Sequence, residues 1–96
     1  MKAQLFRLDR ETIDSVPEAS GVLQLLDEQQ AVIFIAGVSN MRQALVDQLR
    51  GNQGATFFQT EETYMYTMRE SELLRIFLRR HGHLPEGNAL PDDLFD

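Results

Sequence analysis

The tightest constraint on this chain lies between residues 21 and 36, where two apolar runs, GVLQLL (Gly21–Leu26) and AVIFIA (Ala31–Ala36), flank the four polar residues DEQQ. Runs rich in Val, Leu, Ile and Phe with a polar gap of hairpin length predict two antiparallel strands joined by a short turn. Gly37 is expected to end the second strand. Ser39 or Asn40 can then accept an amide hydrogen bond as N-cap. MRQALVDQLR repeats apolar residues at Met41, Leu45, Val46 and Leu49 with helical spacing, and Gly51 closes the helix.

Further along, GNQG reads as a turn and Ala55–Thr60 as a third β run, with Phe57 and Phe58 on opposite faces. Glu61 and Glu62 suit the start of a helix, where negative charge meets the positive end of the dipole. A long amphipathic helix is expected to follow up to Gly82, with Leu73, Ile76, Phe77 and Arg80 on one flank. Gly82 can serve as a left-handed C-cap, with Arg79, Arg80 and His81 complementing the helix end. Before the hairpin, AQLFRL alternates weakly enough for an edge strand, DRETIDSV reads as a short helical turn capped by Asp9, and Pro17 ends it. Residues 83–96, HLPEGNALPDDLFD, read as a loose acidic tail. The sum is one α+β domain over residues 1–96, a three-stranded antiparallel sheet flanked by helices.

Ninety-six residues leave no room for a second domain. No apolar run approaches the ~20 residues that span a bilayer, and charges occupy the N-terminal stretch where a signal peptide keeps its apolar segment, so the expected address is cytoplasmic, away from membranes. With zero cysteines there is no disulfide framework, thiolate zinc site or cysteine nucleophile. Fifteen acids against nine Lys and Arg give a net charge of −6, which argues against tight nucleic-acid binding, because neutralised phosphates supply most non-specific affinity. Arginines still gather at Arg69, Arg75, Arg79 and Arg80.

The order hairpin, glycine, Asn-x-Arg helix, third strand and long helix resembles the GIY-YIG nuclease superfamily. SGVLQLLD stands for its first signature strand, VIFIAG for the second, SNMRQAL for the following helix, and Pro17 for the proline common before the first signature. The resemblance implies two tyrosines side by side on the hairpin, an arginine steadying the scissile phosphate, and a glutamate on the later helix holding one divalent metal. In this chain the tyrosine positions read Leu23 and Phe34, and the glycine position reads Ala36-Gly37. Neither Leu23 nor Phe34 can exchange a proton or donate a hydrogen bond. Asn40 and Arg42 survive.

At the glutamate position, one alignment of ESELLR places Arg75 and the other Leu74. Neither is a carboxylate, and a divalent ion needs oxygen ligands. Glu70 and Glu72 are close in sequence, but two positions along a helix is a turn of about 200°. The resemblance therefore implies a scaffold without cutting apparatus, with no cofactor, acting as a binding or scaffold module of unknown partner. One alternative is a divergent Mg²⁺-dependent endonuclease using Glu72. A second is a protein-interaction module with no nucleic-acid role, contacting its partner through the acidic tail.

Asn40, Arg42, Arg75 and Arg79 are the binding candidates, although arginines beside Glu70 and Glu72 are more simply intrahelical partners. Tyr64, Met65, Tyr66 and Met68 could stack on bases but at this density read as core. His81 and His83 lack a third ligand, and no G-x-S-x-G elbow or Gly-rich phosphate loop is present.

Overall fold

The computed structural model describes residues 4–51 and 54–88. In chain order the elements are β1 (Phe6–Arg7), α1 (Arg10–Ile13), β2 (Gly21–Leu26), β3 (Val32–Val38), α2 (Met41–Gly51), β4 (Phe57–Glu62), α3 (Tyr66–His81) and a 3-10 turn over Glu86–Asn88. The four strands form one antiparallel sheet in the order β1-β4-β2-β3. The expected three-stranded sheet gains a member because the N-terminal run does serve as an edge strand, with Phe6 opposite Phe58.

β2 is central, and its burial explains its sequence. Both faces of the sheet are covered, so apolar residues stand at both parities: Val22, Leu23, Leu25 and Leu26 are all buried, and only Gln24 interrupts them. The hairpin turn is held by Asp27, whose carboxylate accepts the amide hydrogens of Gln29 and Ala31 at 2.9 Å, while Gln30 takes a left-handed φ of 67°. A register shift between Leu25 and Leu26 absorbs the loop.

One face of the sheet carries the packed core. Leu23, Leu25 and Phe58 meet Ile13 and Val16 from the α1 segment and Met41 and Leu45 from α2. Phe58, Ile13 and Leu45 are completely buried, each large side chain contributing about 1.5–3 kcal/mol. The caps read from the sequence hold: the Asp9 carboxylate accepts from Thr12 N at 2.8 Å and Asn40 Oδ1 from Gln43 N at 3.0 Å. The opposite face presents Val22, Gln24 and Ile35 to α3, a helix in which no residue is fully buried. Gly82 closes α3 in the left-handed region, φ 77°, its amide bonded to Leu78 O.

Four expectations need correction. Gly37 does not end β3 but lies within it, opposite Val22. A side chain there would collide with the carbonyl oxygen of Tyr66, so the glycine lets the first turn of α3 sit on the strand. Glu61 and Glu62 belong to β4 rather than to a helix start; Glu61 pairs with Val22, and the helix begins four residues later. The Tyr64, Met65 and Met68 group is surface, with Tyr64 95% exposed. The stretch from His83 opens as docked chain: Pro85 is buried, and the Asn88 side chain pairs with β3. Residues 89–96, including the acidic PDDLFD, lie outside the described residues.

Candidate functional site

The register sets Leu23 opposite Ala36 and Leu25 opposite Phe34, so Leu23 and Phe34 share a face as diagonal neighbours. That face is the core. Leu23 is 1% exposed, and Phe34 is half-buried against the same cluster, its ring next to Gly87 of the 3-10 turn. Across the sheet Leu23 pairs with Thr60 of β4.

Arg42 is used locally. Its Nε donates to Val16 O at 2.6 Å and its Nη1 lies 3.9 Å from Glu18 Oε2, which ties the segment leading into β2 to the first turn of α2. Asn40 is spent as the α2 cap. Two of the candidate binding residues thus have structural partners within their own neighbourhood.

Arg75 and Arg79 lie elsewhere, exposed on α3, which packs on the face opposite the core of Leu23. The expected intrahelical pairing with Glu70 and Glu72 does not form, since both acids are otherwise engaged. Glu70 Oε2 accepts from Gly37 N at 2.7 Å, and Glu72 accepts from Arg69 Nη1. Arg69 also forks onto Glu61, Nε to Oε2 at 2.8 Å and Nη2 to Oε1 at 3.1 Å, bolting α3 to β4. These hydrogen bonds, to Glu61 first and Glu72 second, raise the Arg69 guanidinium above its already high ordinary pKa. Glu72, the weak metal candidate, is therefore one arm of an ion-pair triad. Among the described residues no three or more His, Asp or Glu side chains gather as a metal-ligand group.

Sequence reasoning missed a concavity on the α3 side of the sheet. A cleft of about 560 Å³ lies between the β2–β3 hairpin and the C-terminal half of α3. Its apolar lining includes Ile33, Ile35, Leu73, Ile76, Phe77 and Pro85, and its rim carries Asp27 and Glu86 together with Arg80, His81 and His83. The flank of α3 read from periodicity, Leu73, Ile76, Phe77 and Arg80, is the flank that lines it. The two histidines frame Phe77, with ring centroids at 4.2 Å for His81 and 6.0 Å for His83. His83 Nδ1 lies 2.9 Å from Leu84 O, the geometry of an N–H donor, which leaves Nε2 as acceptor in the neutral ring. Nothing in the sequence pointed to the far wall: Ile35 and Pro85 are fifty residues apart and meet only because the chain beyond Gly82 folds back along β3.

That return is fixed by Asn88. Its Nδ2 donates to Ile35 O and its Oδ1 accepts from Ile35 N, both at 2.8 Å, so one side-chain amide imitates a neighbouring strand on the open edge of β3. No helix among the described residues is long and apolar enough to cross a membrane. In comparisons with models of protein families and with curated proteins, nothing matches this chain.

Proposed function

We propose that this chain is a GIY-YIG-like domain without hydrolytic activity, working as a binding or scaffold module. The observation that carries the reading is the fate of the signature positions. Leu23 is sealed in the core at 1% exposure, and the guanidinium that would steady a phosphate is bonded to Val16 O instead. Removing one preorganised electrostatic contact from an active site typically costs ~10²–10³ in rate, and here the two hydroxyls and the metal carboxylate are all substituted. The cleft between the hairpin and α3 then becomes the surface on which a binding role rests, its volume falling in the ~300–1,000 Å³ span of ligand sites.

Incubating the protein with supercoiled plasmid and Mg²⁺ or Mn²⁺ tests the reading. The expected result is no nicking above a protein-free control. Metal-dependent nicking that Glu72→Gln abolishes, with the melting temperature unchanged, would establish the divergent nuclease instead. Glu72→Gln suits this purpose better than a change at Arg42, because Glu72 gives up one exposed pair within α3 and leaves the Arg69–Glu61 bonds to β4 in place, whereas Arg42 ties α2 to Val16 O.

A further inference from the structure

Arg75, Arg79 and Arg80 stand within two turns of α3, all exposed, and none forms a hydrogen bond or ion pair with a described residue. Arg10, Arg42 and Arg69, by contrast, each face a carboxylate. Helical spacing explains the difference. The residues three and four positions before each of the trio are Ser71 and Glu72, Arg75 and Ile76, and Ile76 and Phe77; the single acid among them is taken by Arg69. In a chain of net charge −6 this ridge reverses the local sign. It borders apolar surface, since Arg80 lines the cleft and Ile76, 41% exposed, lies between the ridge and the cleft floor.

We propose that the cleft and its arginine ridge hold a short acidic–apolar segment of a partner protein. Carboxylates pair with Arg75, Arg79 and Arg80, and adjoining aliphatic or aromatic side chains enter the cleft against Ile35, Leu73, Ile76 and Phe77. This deepens the binding-module reading and rests on it. A nucleic acid fits less well. The cleft's one phenylalanine ring has His81 against it at 4.2 Å, which reduces the stacking platform a base needs, and Asp27 and Glu86 on the rim oppose a continuous phosphate backbone. A peptide can place its few acids on the ridge alone and keep its apolar residues opposite the carboxylates.

Fluorescence anisotropy with the full chain provides the test. The probe is a labelled ten-residue peptide alternating glutamate with leucine and phenylalanine, compared with its glutamine counterpart and with labelled 20-nucleotide single and double strands. The glutamate peptide should bind, and the glutamine peptide should bind about tenfold more weakly or worse. Arg75→Gln with Arg79→Gln should weaken the glutamate peptide by a similar factor while lowering the melting temperature only slightly, since neither side chain bonds a described residue and only Arg79 complements the helix end. Ile76→Asp should weaken it independently of the arginines. Absence of binding, or binding indifferent to all of these changes, overturns the proposal. Tighter capture of an oligonucleotide than of the peptide also overturns it while leaving a binding module in place, whereas metal-dependent plasmid nicking removes the binding-module reading itself.

Discussion

The two faces of the sheet are built from similar residues and end up in different states. Against α1 and α2, Leu23, Leu25 and Phe58 interlock with Ile13, Met41 and Leu45 until almost no surface remains. Against α3, the strands offer Val22, Gln24 and Ile35, and the helix is fastened mainly at one end, by the Glu61–Arg69–Glu72 triad and by Glu70 on Gly37. Its other end stands off the hairpin and leaves the cleft. Interlocked apolar side chains fix a core by shape, while polar fasteners fix a helix at points and leave the intervening space open. Stability should therefore be concentrated on the first face and recognition on the second.

The strongest way to break this contrast is to delete matched side chains. Phe58→Ala should lose about 3–5 kcal/mol, since a completely buried ring leaves a cavity in a closely packed cluster, whereas Ile76→Ala should cost less than ~1 kcal/mol. Denaturant titrations of the two variants measure the gap, and equal losses would show that the α3 face is core as well.

Next come two arginines. Arg42→Ala removes the 2.6 Å bond to Val16 O and should cost about 2 kcal/mol, while Arg79→Ala should stay within ~0.5 kcal/mol. A neutral Arg42→Ala would return that residue to the pool of candidate ligands.

Asn88→Ala sharpens the picture at the border of the cleft. Loss of both bonds to Ile35 should cost about 1–2 kcal/mol and expose the edge of β3, so that amide exchange at Ile35 quickens while that of Leu25 in the centre holds. The smallest effect belongs to α1. Hydrogen bonding from the Thr12 side chain and then its backbone N–H, together with the nearby Arg7 charge, outweighs the opposing effect of burial and holds the Asp9 carboxyl below its ordinary pKa. Because the folded value is the depressed one, the cap's contribution is complete above the unfolded-state pKa of about 3.9 and fades as pH falls through the folded value. Asp9→Asn, which keeps an accepting oxygen, should flatten that acid limb of the melting curve without altering stability at neutral pH much.

Much of this architecture was legible along the chain because it depends on short-range chemistry. GVLQLL gave the bounds of β2, Asp9 and Asn40 announced their caps, and Gly82 its left-handed closure. The errors share a physical origin too. Glu61 and Glu62 have the charge of a helix start, yet their strand conformation is set by pairing with β2 forty residues away. Tyr64, Met65 and Met68 have core composition, but composition does not report which residues another element covers. Gly37 reads as a break until the carbonyl of Tyr66 is seen to need its place.

The sequence by itself determined the hairpin, the two main helices, the acidic balance and the absence of tyrosine from both strands of the hairpin. Those properties are written in residue type and in spacings of two to four. The tertiary structure alone decided that Leu23 is core, that Arg42 holds Val16 while Arg75, Arg79 and Arg80 hold no described residue, and that Ile35, Phe77 and Pro85 bound a single cleft. Such decisions turn on which distant groups reach an amide, a carboxylate or an apolar wall first, and a side chain's partner is fixed only when the competing contacts are placed in space.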